Sequence, residues 1–291
     1  MMKKIFLTGG SGFIGKNLLE KLNREYDIYS PGSGELNLLD QKAVEQELKD
    51  RSYDVVIHTA NINSTKRKNV SLYDVLDGNL RMFSNLIRCK EYFGKMYYFG
   101  SGAEYGIGHY IPNMSEEYFD TYVPKDPYGF SKYIMSKKCN ENENVYDLRL
   151  FGVFGKYEEW HRRFISNAIC RTLKGMPITI HQNVYFDYLW IDDLAEIMKW
   201  FIEKEPRYRH YNVCRGSKID LYTLASKVKE TLNSDCEILV AESGFKPEYT
   251  GCNLRMLEET GSFRFTGWDE AIKKLCDYYC ENIHLIDERK L

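Results

Sequence analysis

The 291-residue chain is 43% hydrophobic and 28% charged with a formal net charge of -2, the profile of a soluble globular protein long enough for a large core. That balance gives no electrostatic reason to expect nucleic acid or an anionic membrane as partner, and no apolar stretch approaches bilayer-spanning length. The eight cysteines form no Cys-x-x-Cys pair and match no His spacing, so they read as reduced thiols of a cytoplasmic protein without a metal site.

Lys3 to Thr8 is a short β run that leads into Gly9-Gly10-Ser11-Gly12-Phe13-Ile14-Gly15 and then a helical pattern through Leu22. Glycines at 9, 12 and 15 between strand and helix permit a tight turn, close approach of a pyrophosphate and close packing of helix on strand. A dinucleotide site is therefore expected at Gly9, Ser11, Gly12, Phe13, Ile14 and Gly15. A second strand, Asp27 to Ser30, ends in Pro31-Gly32-Ser33-Gly34, with Glu35 the first acid. Small neutral residues there leave room for a 2′-phosphate without repelling it, so NADP(H) is preferred and NAD remains possible.

Asp40 to Asp50 reads as a helix and Asp54 to His58 as a buried parallel strand. Its end, Thr59-Ala60-Asn61, falls where open α/β sheets bind ligands. Lys66 to Lys68 reads as a solvated loop. The helix expected over Tyr73 to Tyr92 carries Asn79 among apolar positions, as a brace for the site or a buried structural amide. Met96 to Gly100 is a fourth strand delivering Ser101-Gly102-Ala103-Glu104-Tyr105-Gly106, and Val145 to Leu150 a fifth. Between them, Tyr128 and Lys132 stand four apart on a helical pattern opened by Asp126-Pro127, so the ammonium can favour the ionised phenol one turn away.

The alternation of strands and helices predicts a doubly wound parallel sheet, a Rossmann-type α/β fold. Residues 1–155 are expected to form mainly the dinucleotide half. Residues 156–291 should be a smaller α/β lobe wrapped on it, with strands at Pro177 to Ile180, Tyr185 to Ile191 and Tyr211 to Cys214.

Thr8-Gly9-x-x-Gly12-x-x-Gly15, the Ser101 to Gly106 turn, Tyr128-x-x-x-Lys132 and Leu148-Arg149 before Gly155 together resemble the extended short-chain dehydrogenase/reductase family. Gly34 to Asp40, Ala43-Val44 and Lys246-Pro247-Glu248 look most like its GDP-L-fucose synthase branch of 4-keto-sugar reductases. The resemblance implies Tyr128 as proton donor, Lys132 as the group that lowers its pKa and holds the nicotinamide ribose, and Ser101 as the group orienting a sugar carbonyl. It also implies that Ser33, Asp40, Thr59, Ala60, Asn61 and Asn79 complete the cofactor site. The nucleotide-sugar substrate would meet Ser101, Gly102, Ala103, His161, Arg163, Phe164, Arg171 and Lys246, the arginines suiting a diphosphate. A homodimer through the helices around Tyr73 to Tyr92 and Pro127 to Asn140 is implied as well.

Two departures narrow the chemistry. Dehydratases of the family carry an Asp-Glu pair after the serine, whereas Gly102 and Ala103 stand here and Glu104 comes one position too late. The fucose synthase branch places a Cys at the position of Ala103, so a 4-keto reduction without the double epimerisation is expected, His161 being the one candidate left for that role. A 4-epimerase retaining NAD is the alternative, and a non-catalytic dinucleotide-binding protein the reading from another class.

Overall fold

The computed structural model describes residues 2–62, 71–261 and 263–291, so the Lys66 to Lys68 run lies outside the described residues. The first half alternates strictly: β1 (Lys4–Thr8), α1 (Phe13–Leu22), β2 (Asp27–Tyr29), α2 (Gln41–Arg51), β3 (Tyr53–His58), α3 (Leu72–Ile87), β4 (Phe93–Ser101), α4 (Pro127–Asn140) and β5 (Val145–Leu150). The second half is irregular: β6 (Gly152–Phe154), α5 (Phe164–Leu173), β7 (Ile178–Asn183), β8 (Tyr185–Phe186), β9 (Tyr188–Trp190), α6 (Ile191–Glu203) and β10 (His210–Val213). It closes with β11 (Ile219–Asp220), α7 (Leu221–Thr231), β12 (Ile238–Phe245), α8 (Leu254–Thr260) and α9 (Trp268–Glu281).

A six-stranded, all-parallel sheet in the order β10-β5-β4-β3-β1-β2 forms the centre. Successive side chains of a strand point to opposite faces, and both faces of this sheet are buried. Ile5, Leu7, Val55, Ile57, Tyr97 and Phe99 join one core with α1, α5, α6, α7 and α9. Phe6, Val56, Met96 and Tyr98 join a second core with α2, α3 and α4. Chain order reverses between β1 and β3, which opens a crevice at the carboxyl ends of the strands. His58 of β3 sits opposite Tyr98 of β4, so Ser101, further along β4, projects past its neighbour into that crevice.

The sheet takes its last strand, β10, from beyond residue 155, with Tyr211 opposite Leu148. The expected strand over Tyr185 to Ile191 is broken into β8 and β9 by Asp187, whose N–H donates to the Tyr249 carbonyl and whose own carbonyl accepts from Gly152. Among the described residues several features lacked a sequence signal, the short β6 in the expected site loop being one. Others are α8, the antiparallel pairing of β8 with β11, and the largely exposed β12 that pairs in parallel with β7. Among the described residues no helix is long and apolar enough to cross a membrane.

Candidate active site

The crevice is a cleft of about 710 Å³ running from the glycine turn, past the ends of β3 and β4, to a wall of aromatic side chains. Its first end is made of main chain. Gly9 adopts φ +77°, and a Cβ there would lie 2.7 Å from the Ala60 nitrogen; one on Gly15 would lie 2.3 Å from the Gly9 carbonyl oxygen. No side chain caps α1 at Gly12, and Phe13 and Ile14 line the cleft, which leaves the positive end of the helix for an anionic ligand. A glycine cradle closed to any side chain, against an uncapped helix end, fits the pyrophosphate of a dinucleotide.

Beyond it, Pro31, Gly32, Ser33 and Asn37 line the cleft without a charge. Glu35 is turned back on its own loop, where its carboxylate accepts the Gly32 N–H at 2.7 Å, and it does not reach the lining. Ser11, Thr59, Ala60 and Asn61 are in the lining as well.

At the centre stand Ser101, Tyr128 and Lys132, from two elements. Ser101 ends β4. Tyr128 and Lys132 lie on α4, which Asp126 caps by accepting the Gly129 N–H at 2.7 Å, with Pro127 in the first turn. Such a cap contributes about 1 kcal/mol to the helix. The Tyr128 side chain keeps 37% of its surface open, toward the cleft it lines. Protein packed around its hydroxyl raises its pKa, offset in part by a hydrogen bond with Ser101 and by the positive charge of Arg163. Lys132 is buried, donates from Nζ to the Phe99 carbonyl at 2.7 Å and lies 5.9 Å from the centre of the Tyr128 ring. Burial pushes its pKa down to about 8 against the pull of Glu104 and Asp147.

The far end of the cleft leaves little mark in the sequence. Phe151, Phe186, Tyr188 and Tyr249 line it, and Tyr249 is within hydrogen-bonding reach of Ser101. Tyr249 packs on Phe151 with ring centres 5.1 Å apart and on Tyr110 at 4.8 Å. The density of aromatics between 185 and 188 was the one available signal; Tyr249 had none. Glu158 also reaches this wall and is almost fully buried. Burial raises its pKa to about 8, against a hydrogen bond from Ser166 and the charge of Arg163.

Several expected site residues stand elsewhere. Asp40 caps α2, accepting from the N–H groups of Lys42 at 3.0 Å and Ala43 at 3.1 Å. Asn79 is buried behind the cleft, its amide exchanging hydrogen bonds with the main chain of Ile62 at 2.7 and 3.0 Å; it braces the segment after Asn61 and is not in the lining. Gly102 lies under Tyr249, whose hydroxyl is 2.4 Å from where a Cβ would be, and Ala103 is buried beside it, so neither lines the cleft. His161 is an exposed loop residue set edge-on against Trp160. Arg171 is spent on the carbonyls of Pro177 and Leu291, and Lys246 lies on the exposed strand end beside Asn183. Arg163 and Phe164 do line the cleft. His58, expected as a packed strand end, is buried with Nδ1 2.7 Å from the Thr8 hydroxyl, and burial lowers its pKa to about 3.

The sequence model of the NAD dependent epimerase/dehydratase family matches residues 5–214. An ADP-L-glycero-D-manno-heptose-6-epimerase of Brachyspira hyodysenteriae is 25% identical over 94% of this chain and 96% of its own. Among solved structures, a GDP-L-fucose synthetase from Naegleria fowleri bound to NADP superposes with a TM-score of 0.84, at 18% identity over 97% of this chain and 94% of that one. A GDP-mannoheptose C4 reductase from Campylobacter jejuni with NADP bound does so at 0.82 and 19% identity, covering 96% and 98%.

Proposed function

The chain belongs to the NAD dependent epimerase/dehydratase family, and on that premise we propose that it is an NADP(H)-dependent reductase of a nucleoside-diphosphate 4-keto-6-deoxy sugar. The observation that carries this reading is the meeting of Ser101, Tyr128 and Lys132 in one cleft with the glycine cradle. Gly9, Gly12 and Gly15 would hold the pyrophosphate, and the neutral turn around Ser33 would admit the 2′-phosphate. When bound, the dinucleotide supplies a hydride to the carbonyl carbon.

Everything else falls to the chain's own side chains. Ser101 donates to the sugar carbonyl oxygen and orients it. Tyr128 gives its phenolic proton to that oxygen, and the phenolate left behind is stabilised by the Lys132 ammonium. The aromatic wall excludes water from the sugar, and Arg163, exposed at the cleft edge, meets the diphosphate with its fork of donors. The name of the C4 reductase is in keeping with a reductase, as that of the heptose-6-epimerase is with the epimerase alternative. Gly102 and Ala103, where the dehydratases carry acids, argue against dehydration.

The test is NADPH oxidation by the purified protein across a panel of nucleotide-linked 4-keto-6-deoxy sugars. Turnover with exchangeable NADPH supports the reading. NAD that stays bound through purification, with interconversion of 4-epimers, replaces it by the epimerase. The homodimer would form through α3 and α4, where Tyr73 is 72% exposed, and light scattering of the purified protein tests it.

A further inference from the structure

Behind the catalytic residues lies a buried polar cluster that the proposed chemistry does not use. Arg149, Glu104 and Asp147 are completely excluded from solvent. The Arg149 Nε donates to Glu104 at 2.9 Å and to Asp147 at 2.8 Å, one Nη to the Tyr105 hydroxyl at 3.0 Å and the other to the Ser136 hydroxyl at 2.9 Å. Ser136 in turn donates to Asp147 at 2.6 Å. At the other end the Ser101 N–H donates to Glu104 at 2.9 Å, while the Ser101 hydroxyl accepts the Ala103 N–H at 3.2 Å. Ser101 and Glu104 therefore form a reciprocal capping box around the turn that follows β4.

We propose that Glu104 is a positioning residue, a carboxyl bridge that fixes Ser101 through its main chain and ties it, by way of Arg149, Asp147 and Ser136, to the α4 face carrying Tyr128 and Lys132. This rests on the reading of those three residues as the proton-transfer set. The spacing supports it, because Tyr128, Lys132 and Ser136 recur every fourth residue along one side of α4. Charge supports it too. Burial and the neighbouring Asp147 hold the Glu104 carboxyl well above the usual carboxylate range, which favours its neutral form in this cluster. Arg149 and Asp147 then cancel, and the Lys132 charge is left to act on Tyr128. The other groups facing Lys132 do not cancel it. Its Nζ lies 4.7 Å from the Tyr98 ring, whose phenol burial keeps neutral; Cys139 is held as a thiol and His58 as a neutral imidazole.

The experiment compares Glu104→Gln, which keeps both an acceptor for Ser101 and a donor for Asp147, with Glu104→Ala, which keeps neither. Per folded molecule, Glu104→Gln should hold kcat within about threefold of wild type, and Glu104→Ala should lose about thirtyfold in kcat, with NADPH affinity by fluorescence unchanged in both. Ultraviolet titration of Tyr128, read as the difference between each protein and its Tyr128→Phe partner, should give an unchanged midpoint for Glu104→Gln and one raised by about a unit for Glu104→Ala. The bridge is overturned if Glu104→Ala matches wild type in both readouts, or if Glu104→Gln is as impaired as Glu104→Ala. The titration needs no substrate, so it reports on the bridge even if no keto sugar is turned over, an outcome that would count against the proposed reaction alone.

Discussion

The two ends of the cleft are built by different means. The dinucleotide end is main chain: glycines without room for a Cβ, an uncapped helix and strand ends that follow one another in the first third of the sequence. The far end, where the proposed sugar would sit, is side chain, with Phe151, Phe186, Tyr188 and Tyr249 brought together from separate segments of the irregular second half. A main-chain site has few solutions and accepts whatever shares a pyrophosphate. A side-chain wall can be rebuilt one residue at a time, and with it the sugar that is admitted.

The sharpest way to break this division is at the boundary, where Tyr128, the proposed proton donor, belongs to neither end. Tyr128→Phe should reduce turnover by about a thousandfold while NADPH affinity, followed by fluorescence, stays within about twofold; equal losses in both would merge the two ends. Gly15→Ala should cut dinucleotide affinity at least about tenfold, because the new Cβ would press on the Gly9 carbonyl 2.3 Å away, and calorimetry would read it. Arg163→Ala should raise the sugar KM about tenfold and leave the dinucleotide Kd alone; a changed Kd would place Arg163 at the wrong end.

Weaker effects sharpen the comparison through pH. Turnover should fall as pH rises through about 8, where the Lys132 ammonium is lost, and kcat measured from pH 6 to 10 should show that limb. Stability should respond to His58. Its folded pKa near 3 lies below the unfolded value of about 6.5, so the unfolded state binds the extra proton and stability drops as pH falls through that window. The loss by pH 5 is on the order of 2 kcal/mol, and urea titrations of His58→Asn should lack it.

The same contrast explains what could be read from the sequence. Gly9, Gly12 and Gly15 were legible because a backbone demand leaves a residue-type signature, and Tyr128 and Lys132 because helical spacing puts them on one side. Asp40, expected among the cofactor residues, is a helix cap, and Asn79 is the buried bracing amide its setting allowed, because caps and braces use the same residue types as ligands do. Tyr249 was unreadable, its neighbour Ser101 being far away in the chain. Glu104 is offset by one position from the acids of the dehydratases and so carries no catalytic signal. Yet Ser101-x-x-Glu104 is the spacing of a capping box, a local signal available without any relative.

The strand β10 has a consequence for how the protein comes into being. On a ribosome the first five strands emerge long before it, and until it arrives β5 is an open edge, its Asp147 N–H still without the Arg209 carbonyl it meets at 2.8 Å. The same strand brings Asn212, whose side chain accepts the Tyr105 hydroxyl at 2.7 Å beside Arg149. A nascent chain that has finished its glycine cradle therefore still lacks the support beneath Ser101. Since α1 and this face of the sheet also pack on α5, α6, α7 and α9, the cleft is complete only when the second half has folded onto the first.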